Sequence, residues 1–94
     1  MKEREREVLR SELAASVEVT KTIPDYPAPD SEWLAVCRRN SDAWCIEKLR
    51  SESSRDTFAV YAGDYSASRG YRRRRFLDLF HSMEAAVECV NERA

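Results

Sequence analysis

Ninety-four residues are enough for one domain with a modest core. Charged residues make up 35% of the chain and no long apolar run interrupts them, which excludes a membrane-spanning helix and a secretory apolar stretch. The formal net charge of −1 gives no overall attraction to nucleic acid or to an anionic membrane, and the expected location is the cytoplasm or the nucleus.

The chain opens on a helical pattern expected to cover residues 3–17. Leu9, Leu13 and Val17 recur every four residues with Val8 beside them, and Glu3–Arg6 and Glu7–Arg10 can pair along the polar side. So narrow a stripe leaves the helix marginal in water, so it must dock on the rest of the chain or on a second copy; the latter would be a homodimer through the N-terminal helix. Val17, Val19, Thr20, Thr22 and Ile23 are β-branched and weaken the helix as it leads into Pro24.

Residues 22–31 hold all three prolines and read as a rigid, extended linker. Pro24 and Pro27 have the spacing of a proline-rich ligand motif but no basic residue at its start, so a spacer is the better reading.

Strands are expected near 33–39 and 44–50, joined at Asn40–Ala43, a turn-forming set. Pairing Arg39 with Trp44 puts Trp33, Ala35, Cys37, Trp44 and Ile46 on one face. Leu34, Val36, Arg38, Cys45, Glu47 and Leu49 fall on the other, a mixed and partly wet surface. A polar loop, 51–55, follows.

The next hairpin is expected at 56–65 and 71–79, turning through the glycine-containing run 66–70. Tyr65 then faces Tyr71, Asp64 faces Arg72 and Val60 faces Phe76, pairing opposite charges and apolar groups. A single helix from Tyr71 to Arg93 competes, because Phe76, Phe80, Met83, Val87 and Val90 alternate at spacings of four and three. That helix would begin with Arg72–Arg75 at its positive end, which disfavours it. Ser82 as N-cap with Glu84 in the first turn favours a strand followed by a helix over 82–92.

The expected class is α+β: an N-terminal helix, a four-stranded antiparallel meander and a C-terminal helix packed on one sheet face. Residues 1–94 form one domain, divided into helix and exit (1–21), linker (22–31) and sheet plus C-terminal helix (32–94). Trp33, Trp44, Ile46, Met83, Val87 and Val90 should share the core.

Little in the chain suits catalysis. His81 is the sole histidine, beside Ser82 and near Asp78, with no loop resembling a nucleophile elbow. Cys37, Cys45, His81 and Cys89 are chemically a zinc set, but their spacing fits no zinc pattern and hairpin geometry sends Cys37 and Cys45 to opposite faces. The cysteines are therefore expected to be reduced, small and buried. No catalytic residue, metal or cofactor is expected, and the chain reads as a non-enzyme.

The basic stripe carries the functional expectation. Arg69, Arg72, Arg73, Arg74 and Arg75 lie within seven residues, with Tyr61, Tyr65 and Tyr71 close by in the hairpin. Strict alternation would place Arg72 and Arg74 on one face and Arg73 and Arg75 on the other. Arginine and tyrosine are residue types enriched at interface hot spots. The expected function is a protein-interaction or regulatory module whose hairpin contacts an acidic protein partner. Nucleic acid held by the same Arg/Tyr surface is the alternative; a membrane partner is not expected.

Overall fold

The computed structural model describes residues 3–22, 31–49 and 56–94, with 21–22 and 31–34 described by their backbone. In chain order the elements are α1 (Glu3–Glu12), β1 (Glu18–Thr22), β2 (Ser31–Arg39), β3 (Asp42–Leu49), β4 (Thr57–Ser66), β5 (Gly70–Phe80) and α2 (Met83–Arg93). The strands form one antiparallel meander in the order β1-β2-β3-β4-β5. The α+β class agrees with the sequence; the strand count does not.

The fifth strand comes from the segment read as the end of the first helix. α1 stops at Glu12, and after a turn closed by Val17 N–H donating to the Ala14 carbonyl (2.9 Å) the chain enters β1. β-Branched side chains fit a pleated surface better than a helical turn, and here that preference prevails over the four-residue spacing. Most of the proline-rich linker and the loop at 51–55 lie outside the described residues.

Both helices cover one face of the sheet. Trp44, Ile46, Met83, Val87 and Val90 are buried in one cluster, as the sequence predicts, joined by Val8, Leu9, Ala35, Cys37, Phe58, Val60 and Ala86. The side chain of Trp33 is not among those described. α1 docks within its own chain, so the apolar pair Val8 and Leu9 is already covered and a second copy is not needed to bury it. Glu5, buried on the same helix, receives Lys48 Nζ at 2.9 Å. Asn91 of α2 ties down the far end of α1: its amide nitrogen donates to the Glu12 carbonyl and its oxygen accepts from Ala14 N–H, both at 2.8 Å. One side chain thereby satisfies two backbone groups where the helix ends.

The β5–α2 junction is a strand followed by a capped helix, and the single long helix is ruled out. Ser82 has extended backbone angles and its hydroxyl accepts from Ala85 N–H at 3.2 Å. Glu84 lies in the first turn and Arg93 in the last, each favourably placed in the helix dipole.

The β2–β3 hairpin is tighter than expected. Arg39 pairs with Asp42 across Asn40-Ser41, and Asn40 takes the left-handed φ of 57° that such a short loop demands. The register differs from the sequence expectation by two residues, an even number, so the facial assignment of Ala35, Cys37, Trp44 and Ile46 survives. A bulge between Trp33 and Ala35 shifts the register, and the pairing continues from Trp33–Glu47 to Ser31–Leu49.

Candidate interaction surface

β4 and β5 begin in the expected register. Tyr65 pairs with Tyr71 and Asp64 with Arg72. The ladder then slips twice, between Ala62 and Gly63 and between Val60 and Tyr61, because β5 carries extra residues at Arg74 and Leu77. Val60 therefore faces Asp78, and Phe76 faces Tyr61, correcting the expected Val60–Phe76 pair. Each bulge resets the alternation of side chains.

The first slip divides the arginine run differently from strict alternation. Arg73 pairs with Gly63 and rises over the sheet face away from the helices. Arg75 pairs with Ala62 and lines a depression with Trp44, Glu92 and Arg93 on the helix side. Arg73 and Arg75 thus point to opposite faces, not the same one. Arg74, the extra residue, engages the Asp64 carboxylate through its Nε. Arg72 is exposed at the position opposite Asp64, and Arg69 is exposed in the hairpin loop, where its N–H donates to Ser66 Oγ at 3.1 Å.

The face away from the helices is less wet than its composition suggests. Val36, Cys45, Glu47 and Ala59 are all buried there. Arg73 forms an ion pair with Glu47, and its guanidinium carbon lies 4.0 Å from the centroid of Tyr61. Tyr61 meets the edge of Phe76 at 5.6 Å, and Arg38 lies over Tyr65 at 4.7 Å. The ring of Tyr71 packs beside Gly63, where an added Cβ would come within 2.9 Å of it and collide with the Arg72 carbonyl. Glycine is needed there because the first bulge brings backbone onto it.

Burial sets the electrostatics of this layer. It pushes the Glu47 carboxyl up despite the opposing charge and hydrogen bond of Arg73. It also raises the Cys45 thiol, with the neighbouring Glu47 charge adding to the effect, and raises the Tyr71 phenol. On the helix side burial alone pushes the Cys37 thiol up to about 12. Cys37 and Cys89 lie in the core cluster, Cys45 on the other face, and His81 is exposed with Nδ1 3.3 Å from the Asp56 carbonyl. These four groups do not converge.

Of the residues proposed from sequence, the structure brings together Tyr61, Tyr71 and Arg73, with Tyr65 next to Tyr71 across the ladder. It sends Arg75 to the other face and leaves Arg69 and Arg72 at the hairpin tip. Arg38, Glu47, Phe76 and Leu79 also belong to this surface. The first two were legible as members of the second face, but nothing local in the sequence signalled the ion pair. Phe76 reaches it because of the first bulge, whereas Leu79 lies there by simple alternation as well, the two bulges cancelling; among the described residues they are the exposed large hydrophobics, 50% and 47% exposed. No protein-family model, curated protein or solved structure matches the chain.

Proposed function

We propose that this protein is a non-enzymatic interaction module that binds an acidic protein segment along β5. The observation that carries this reading is the pairing of exposed apolar side chains with unneutralised cations on an outer strand. Phe76 and Leu79 stand on the same face, opposite Tyr61 and Ala59. Arg72 and Arg75 precede them on the strand, Arg75 on the helix-side face, and form no ion pair among the described residues. An exposed apolar pair on a strand that also carries unpaired arginines has residue types found at interface centres, and the cations give a preference for carboxylates. β5 is also the last strand of the sheet, so among the described residues its outer edge has no partner strand.

The same arginines can serve a plainer purpose, since charge and bulges on an edge strand discourage pairing with another copy. That role does not account for two exposed hydrophobics beside them. Nucleic acid is the weaker alternative, because Tyr61 and Tyr65 each already hold a guanidinium against the ring. One face of each ring is thereby taken from base stacking.

Two paired variants test the reading, Arg72→Glu with Arg75→Glu, and Phe76→Ser with Leu79→Ser. Affinity capture from the native host should lose the same acidic protein with either pair and be indifferent to nuclease. Retention of every partner by both folded variants contradicts the proposal. Loss of binding on nuclease treatment moves the assignment to nucleic acid.

A further inference from the structure

The hairpin tip holds a smaller feature that the β5 surface does not explain. Tyr65, Ser66, Ser68, Arg69, Gly70 and Arg72 line a depression of about 340 Å³. Its acidic member, Asp64, is paired with Arg74. Arg69 and Arg72 are exposed and form no ion pair among the described residues. Ser66 Oγ accepts from Arg69 N–H, which leaves its own proton available to donate outward. Gly70, at φ 74°, has open space where a Cβ would be, so backbone approach at the tip is unobstructed.

We infer that this tip is a binding site for a phosphorylated serine or threonine carried by the protein partner. The inference rests on the reading of β5 as a protein-binding surface and names the chemistry at one end of it. Two guanidinium forks and two hydroxyls offer more donors than a single carboxylate can accept. A phosphomonoester carries about −1.5 to −2 charges at neutral pH and three terminal oxygens, which matches that supply. A phosphodiester brings only one charge, and the Tyr65 ring beside the tip already holds the Arg38 guanidinium over one face.

The spacing to the apolar pair defines the ligand further. From Arg72 to Phe76 the strand covers roughly 10–13 Å, at about 3.3 Å per residue with one position taken up by the bulge. A partner segment lying along β5 would therefore carry an apolar side chain three or four extended residues from its phosphorylated one.

Calorimetric titration of the full chain with short synthetic peptides tests this. The probe carries one phosphoserine and a phenylalanine four residues on; its relatives replace phosphoserine by serine or glutamate, or phenylalanine by serine. The phosphopeptide should bind at least about tenfold more tightly than the serine and glutamate forms. Arg69→Gln and Arg72→Gln should each erase most of that preference, with Arg69→Lys intermediate and thermal melting of all three unchanged. Equal binding of the glutamate and phosphoserine peptides overturns the tip site, as does full retention of the preference by both glutamine variants. Tighter binding of a single-stranded oligonucleotide of equal charge also overturns it.

The two readings separate in the same experiment. A phosphate preference that ignores the phenylalanine and Phe76→Ser leaves the tip standing and removes the β5 surface. A phenylalanine-dependent affinity without phosphate preference does the reverse.

Discussion

Arg73 on β5 reaches across Tyr61 of β4 to the buried carboxylate of Glu47 on β3, linking three neighbouring strands through side chains. Glu47 is 3% exposed at its side chain and Arg73 is 42% exposed, so water reaches one end of the pair and not the other. Removing the arginine would strand a buried anion. Arg73→Met should destabilise the fold by about 3 kcal/mol, the lower end of the range for breaking a buried pair because Arg73 is partly solvated. Glu47→Leu combined with Arg73→Met should cost much less than the single change. Urea unfolding of the singles and the double gives the coupling directly.

The same carboxyl makes stability depend on pH with a definite sign. Burial raises the folded-state pKa of Glu47 above its unfolded value, so the folded protein holds this proton more tightly. Its contribution to stability is greatest at acid pH and declines as pH rises from the ordinary glutamate range through the raised folded value. Glu47→Gln should remove that decline. Unfolding free energies of wild type and variant across mildly acidic to neutral pH show it as a difference in slope.

At the first β5 bulge, Gly63→Ala should cost more than Gly70→Ala. A methyl at Gly63 would meet the Arg72 carbonyl, which is backbone, and the Tyr71 ring. At Gly70 the space is open and only the left-handed φ is penalised, by about 1 kcal/mol. Comparing the two melting temperatures distinguishes steric collision from backbone preference.

Asn91→Ala should release the end of α1. Two hydrogen bonds at 2.8 Å are lost together, for a cost of about 1–3 kcal/mol. Amide exchange should accelerate at Ala14 and across α1, while the β3–β4 ladder stays protected.

The core and the second helix were legible in the sequence because each had redundant signals. Val87 lies on a face with Met83 and Val90, Ser82 supplies a cap, and both features lead to the same place. Val87→Ala should accordingly cost about 1–3 kcal/mol. β1 was misread because Leu9, Leu13 and Val17 fit a helical spacing that continues past the true end of α1. The fate of Arg72–Arg75 was not legible at all beyond Arg73. Alternation is a local rule, whereas the extra residues at Arg74 and Leu77 are set by how β5 lies against β4. Glu47 shows the same limit: its partner lies two strands away, and only the assembled sheet brings Arg73 over it.

The central claim, that β5, through Phe76 and Leu79 and the arginines that precede them, binds acidic protein segments, is tested most directly by nuclear magnetic resonance. The measurement is a titration of the isotope-labelled protein with a short peptide alternating glutamate and phenylalanine. Shifts should concentrate at Arg72, Arg75, Phe76 and Leu79, weaken as salt is added, and vanish in the Phe76→Ser, Leu79→Ser variant. Absence of shifts on β5, or shifts confined to the α1 and α2 surfaces, would contradict the account.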